Sequence, residues 1–392
     1  MPILKFFGFR SSLYGNLVPF VLLFAQVLSL QSIFYPFLLL TLSNKIRSLA
    51  FNARFVPSVA LLSFTLISLF LRGCSAELML HIIRYYFGII FVAFAFLYNR
   101  TLRIGPGVMF LFTFFVFLEV FYNKVTGSIL VGQFSSIMAN GEALRGARIG
   151  LTTIRAYGPS LNSSVSGSIL AIFLFFCLNN TSSSTDTKQS PSITSLFFIF
   201  IAFLCCGTST GFLVFGFLFV AFAISAVPKI NKGYLIFNSR KLYVVFVLAS
   251  FVILLLVAII SSRHFLSEII GSRANFEYFD IIYQLKISRF DNFTDIYRIL
   301  FGQNLLGLGA DSLGGDFTLL DALNKIGLIG VVGLIIFLFD LCPKKNRIFL
   351  LAALISSLHY GALFSLTGQV FFGALCANSL FPLNQFKLGP ID

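Results

Sequence analysis

The stretch that decides the class of fold is ITSLFFIFIAFLCCGTSTGFLVFGFLFVAFAISAV, residues 193–227, which contains no charged side chain over 35 residues. A helix crosses the hydrocarbon core of a bilayer in about 20 residues. The run is therefore too long for one span. It is interrupted at Gly207-Thr208-Ser209-Thr210-Gly211, a cluster of small and polar residues that breaks a helix. The expected structure is two short apolar helices joined by a turn, and such a hairpin is comfortable only in lipid.

The rest of the chain agrees. Of 392 residues 58% are apolar and 11% charged, less than half the charged share of about 25% usual in a soluble domain. There are 52 Phe and no Trp, so Tyr alone serves as the amphipathic aromatic of the membrane interface. The fold class expected is an all-α polytopic integral membrane protein, a single transmembrane domain over residues 1–392. The formal charge of +14 would suggest nucleic acid in a soluble protein. Here most Lys and Arg sit in short gaps between apolar runs, where topology accounts for them, and no nucleic-acid partner is expected. The six cysteines show no C-x-x-C spacing and the three histidines are scattered. No disulfide framework, metal site or cofactor is expected. Lys5 and Arg10 precede the first apolar run without a clear cleavage site, so that run reads as a retained helix.

About 12 transmembrane helices are expected, near 13–29, 30–44, 55–72, 78–98, 106–122, 161–179, 193–206, 212–228, 242–262, 317–340, 347–363 and 366–384. Splitting Leu17–Leu42 into two spans puts Lys5/Arg10 and Lys45/Arg47/Arg54 on one side. The same side then holds Arg100/Arg103, Lys188, Lys229–Lys241, Lys344/Lys345/Arg347 and Lys387. By the positive-inside rule that side is cytoplasmic, and both termini lie there. Two large external loops remain, about 123–160 and 261–315. Long loops in compact proteins are functional or disordered, and both carry aliphatic and aromatic residues. In the second, Phe276, Phe279, Tyr283 and Ile287 recur at helical spacing, as in an amphipathic helix lying on a membrane face.

The first external loop carries Lys124, Arg145, Arg148 and Arg155 against one acid, Glu142, contrary to the positive-inside trend. Guanidinium binds phosphate bidentately and stays charged. Arg145, Arg148 and Arg155 suit a pyrophosphate on a lipid, although headgroup contact or solvation would also explain them. In the second loop Arg273, Arg289 and Arg298 lie among nearly balancing acids, a pattern that first suggests internal ion pairs. The Gly-rich stretch 302–315 leads to Asp316 at the outer start of the next helix. Asp316 reads equally as an N-cap and as a general base. Asp321 and Lys325, four apart, read as an ion pair. Within the membrane, Glu77, His81 and Arg84 share one helix face. A charge at that depth usually has a partner or a function. Glu77 or Glu119 could pair with Arg84.

About a dozen spans, two Arg-rich external loops and the stretches Gly302…Gly307-Leu-Gly309…Asp316-Phe-Thr-Leu-Leu and Gly327-Leu-Ile-Gly330 together resemble the Wzy-type O-antigen polymerase family. So do Arg155-Ala-Tyr-Gly158…Asn162 and the Gly207–Gly211 break. The resemblance implies transfer of a glycan from undecaprenyl pyrophosphate to the end of another lipid-linked repeat unit, on the periplasmic face of the bacterial inner membrane. It implies no metal and no nucleotide sugar. Arg145, Arg148 and Arg155 would hold the pyrophosphate and Arg273, Arg289 and Arg298 would position the second chain, while Arg84 is a further substrate-binding candidate on account of its depth in the membrane. Asp316 would orient or deprotonate the acceptor hydroxyl. Partners would be the undecaprenyl-pyrophosphate-linked oligosaccharide, membrane lipid and a chain-length regulator. The sister O-antigen ligases usually carry a His where Asp316 stands, which favours polymerase over ligase. A lipid-linked oligosaccharide flippase would need charges recurring at mid-depth along several helices, and these are sparse here.

Overall fold

The computed structural model describes residues 13–27, 55–99, 102–126, 130, 156–183, 193–226, 229–231, 234–236, 305–307, 318–357 and 361–380. Among the described residues the chain is helical apart from one small antiparallel hairpin, β1 (Lys229–Asn231) and β2 (Tyr234–Ile236). The helices are α1 (Leu13–Leu23), α2 (Val56–Leu71), α3 (Ala76–Tyr98), α4 (Pro106–Thr126), α5 (Ser163–Ser183), α6 (Ile193–Cys206), α7 (Ser209–Ala226), α8 (Thr318–Leu341), α9 (Arg347–Ser356) and α10 (Leu366–Cys376). Each falls on one of the apolar runs, but the expected spans 13–29, 347–363 and 366–384 need correction, since their helices end at Leu23, Ser356 and Cys376 and the described residues that directly follow are turns. The expected spans at 30–44 and 242–262, the interiors of both large loops and the amphipathic segment 276–287 lie outside the described residues.

Among the described residues three helices are long and apolar enough to cross a membrane: Ala76–Tyr98, Pro106–Asn123 and Asp321–Leu341. Outward faces of the bundle are apolar: Phe64, Ile67, Phe110, Phe114, Phe121 and Ile224 are exposed, and Phe70 and Leu71 are 71% and 77% exposed. Soluble monomers rarely expose apolar surface on this scale, whereas lipid accepts it.

The break in the 193–227 run falls where the glycines stand. Gly207 adopts the left-handed conformation (φ 51°), which ends α6. The hydroxyl of Thr208 then accepts the backbone N–H of Gly211 at 3.1 Å and caps α7. A side chain at Gly167 of α5 would meet Thr208 Oγ1 at 3.1 Å, so small residues let this turn lie directly on α5.

Helix α10 is the hub. Every residue from Thr367 to Cys376 is buried, and α10 packs on α3, α1, α9 and α5, while α5 also packs on α6 and α7, and α2 on α8. Long-range hydrogen bonds cluster at two ends. At one, Ile104 N–H donates to Ser379 O (3.1 Å) and Asn346 Nδ2 to Leu375 O (3.0 Å), beside Arg103, Lys344, Lys345 and Arg347. The other end gathers Arg72, Tyr86, Asp321 and Gly307 on one flank, Glu119 and Gly158 on the other, and Thr367 between them.

The expectation of one regular helix over 317–340 needs correction. Gly327 (φ 72°, ψ 174°) divides α8 into two helical segments. That conformation is essentially confined to glycine.

Candidate functional site

Of the residues singled out from the sequence, Arg145, Arg148, Arg155, Arg273, Arg289, Arg298 and Asp316 lie outside the described residues, and Arg84 lies within them. The chain directly following Arg155 is described and heavily pinned. Ala156 N–H donates to Cys205 O (3.1 Å), the carbonyl left free where α6 ends. Gly158 N–H donates to Glu119 Oε2 at 2.8 Å. Ser166 Oγ donates to Tyr157 O (2.7 Å) and shares a 2.7 Å hydrogen bond with Ser160 Oγ. Asn162 Oδ1 accepts the N–H groups of Ser164 and Val165 at 2.9 and 3.2 Å and caps α5. Gly158 is left-handed (φ 65°), and a side chain there would collide with Ser166. Leu161 is also left-handed (φ 54°), which for a bulky residue marks a constrained segment. Glu119 is thus committed to this backbone rather than to Arg84. It is 2% exposed and its Oε1 has no hydrogen-bond partner.

A second feature forms at the break in α8. The short segment 305–307 lies backbone to backbone against it. Ile329 N–H donates to Leu305 O at 3.2 Å, and a side chain on Gly307 would meet Gly327 N at 2.6 Å. Arg72, at the end of α2, donates from Nη1 to Gly307 O at 2.6 Å. The Gly302–Gly309 and Gly327–Gly330 stretches, separate in sequence, therefore meet through one glycine from each.

One turn before the break stands the expected ion pair, Lys325 Nζ to Asp321 Oδ2, 3.2 Å. Asp321 Oδ2 also accepts the hydroxyl of Tyr86, while its Oδ1 is buried without a partner. Tyr86 belongs to a five-residue π-turn in α3, Ile83–Phe87, of the kind frequent at functional sites. Gln369 of α10, 1% exposed, donates its amide to Arg84 O (3.1 Å), Tyr85 O (2.9 Å) and Phe364 O (3.0 Å). His81 stacks on Tyr85 with ring centroids 5.6 Å apart, and Tyr85 stacks on Phe364 at 6.1 Å. Glu77, His81 and Arg84 are exposed.

The start of α10 ties the two features together. Ser365 Oγ caps it by accepting Gly368 N–H at 3.0 Å. Thr367 Oγ1 donates to Leu23 O (3.1 Å) and reaches Pro159 O (3.5 Å), and two residues on, Gln369 holds the π-turn. Gly361 lies against Thr318 at the start of α8, and Leu319 N–H donates to Ser357 O at 2.9 Å. One end of the bundle therefore collects the flank of Arg155, the start of α8 and the cations Arg72, Arg84 and Lys325, with His81 beside them. Such a cluster favours an anion at the edge of an apolar body. Among the described residues no group of His, Cys, Asp and Glu has the arrangement of a metal site.

In the sequence Tyr86 was not legible as a site residue, Glu119 only as a possible partner of Arg84, and Gln369 not at all. Their partners lie 235, 39 and 285 residues away, and no local spacing announces them. No family model matches the chain, and neither a curated protein nor a solved structure matches it significantly.

Proposed function

We propose that this chain is a membrane glycosyltransferase that polymerises lipid-linked oligosaccharide repeat units in the bacterial inner membrane. It has about a dozen spans and cytoplasmic termini, and its site faces the periplasm. The observation that carries the reading is the convergence at one end of the bundle of four sequence features that resemble the Wzy-type family. They are the flank of Arg155, the Gly207–Gly211 break, Gly307 and Gly327, and they converge alongside Arg72, Arg84 and Lys325. In the reaction, the glycosyl–pyrophosphate bond of one lipid-linked unit breaks and a glycosidic bond forms to a hydroxyl oxygen of another. The hydroxyl proton passes to a carboxylate, for which Asp316 is the candidate, and undecaprenyl pyrophosphate leaves. Charge grows on the departing pyrophosphate, so fixed arginines stabilise the transition state more than the ground state. Arg145, Arg148 and Arg155 are assigned that task, with Arg273, Arg289 and Arg298 positioning the second chain.

A flippase is the second reading. The break at Gly327, less than two turns from Asp321, whose Oδ1 has no partner, is the kind of discontinuous helix that transporters use at their binding sites.

Deleting the gene and resolving the surface polysaccharide on a gel separates the readings. A polymerase requires collapse of the ladder to core plus one repeat unit, unrescued by Arg155→Ala or Asp316→Ala. Accumulated lipid-linked polymer would mean ligase instead, and single units retained on the cytoplasmic face would mean flippase.

A further inference from the structure

The π-turn of α3 has an inner and an outer face, and the two are differently built. On the inner face Tyr86 is fully buried with its hydroxyl on Asp321, and Gln369 donates its Nε2 to carbonyls of the turn and of Phe364. A buried primary amide is costly unless it is hydrogen-bonded. Here it is placed where a widened turn presents carbonyls that an α-helical ladder would occupy. On the outer face stand Arg84, in the turn itself, and His81, whose ring is held by stacking on Tyr85. Lys325 lies behind them, paired with Asp321.

Resting on the reading of a lipid-diphosphate substrate, we infer that the π-turn is a positioning device: Gln369 and Tyr86 fix the backbone of Arg84 so that Arg84 and His81 together receive the diphosphate of the prenyl carrier at the membrane boundary. Arg84 is the residue that touches the ligand. Gln369 and Tyr86 act only through it. An extra residue in a helix shifts the faces on either side relative to one another, so the clamp sets the direction of the guanidinium. A guanidinium binds a diphosphate well only when its planar fork is correctly aimed.

The test uses the full chain in lipid nanodiscs and measures binding of undecaprenyl pyrophosphate, with phosphatidylglycerol and free inorganic pyrophosphate as competitors. Wild type should prefer the prenyl diphosphate to both. Arg84→Ala should weaken binding by about tenfold or more, the scale of a lost charge-assisted bidentate contact. Gln369→Met should weaken it several-fold in the wild-type background and not at all in the Arg84→Ala background, because residues acting through one group are non-additive. Tyr86→Phe should follow the same pattern, and serves if Gln369→Met does not fold. A full Gln369→Met effect in the absence of Arg84 would reduce Gln369 to a structural residue and overturn the inference. So would unchanged binding by Arg84→Ala, leaving the substrate reading intact. A wild type without preference for the prenyl diphosphate overturns both, and displacement by free pyrophosphate alone would make the site one for the soluble anion.

Discussion

At the scale of single residues, glycine conformations, the buried carboxylate of Glu119 and the half-buried one of Asp321 define the site. Gly327 has no L-residue equivalent at φ 72°, ψ 174°, and a side chain there would collide with the backbone of residues 305–307. Gly327→Ala should therefore destabilise the protein by at least about 1–3 kcal/mol from backbone strain alone. Thermal unfolding in detergent should show a lower transition, and an unchanged one would mean that the break is not rigid. Part of this was legible. The glycine-rich stretches and the Asp321–Lys325 pair were visible, because i, i+4 spacing is local. That Gly307 sits on Gly327 was not, since contact between two backbones leaves no trace in side-chain pattern. The role of Glu119 was misread for the same reason: its partner is a backbone N–H brought from another segment.

At the scale of elements, apolar runs and breakers specified the helices well. The α6–α7 turn follows from Gly207 and Thr208, and α3, α4 and α6 fill their expected runs. The π-turn was illegible, because Ile83-Arg-Tyr-Tyr-Phe87 has nothing in its composition to distinguish it from ordinary helix. It is held from outside, by α10 and α8. The contact between α10 and α3 is close: a side chain on Gly373 would meet Val92 Cγ1 at 2.7 Å and Ala93 N at 3.1 Å. Gly373→Ala should separate the two helices and cost about 1–3 kcal/mol, the usual penalty of overpacking. The same substitution should weaken the hold of Gln369 on the π-turn. Unfolding of the purified chain checks the first effect, and nanodisc binding of the prenyl diphosphate the second.

At the scale of the whole molecule, the charge pattern along the sequence and the two ends of the bundle tell one story. Arg103, Lys344, Lys345 and Arg347 gather at one end, and the site described above at the other. If the charge rule sets orientation, Glu77→Cys in a Cys74→Ser background should react with an impermeant maleimide on intact spheroplasts. Lys345→Cys should react only after permeabilisation. Labelling in the reverse order would turn the site to the cytoplasm and exclude a periplasmic polymerase. The most direct test of the central claim is chemical. The purified chain, reconstituted in liposomes with a single lipid-linked repeat unit, should release one undecaprenyl pyrophosphate for each glycosidic bond formed, and its products should run as a ladder. Units that change leaflet without forming any new glycosidic bond would contradict the account and leave a transporter in its place.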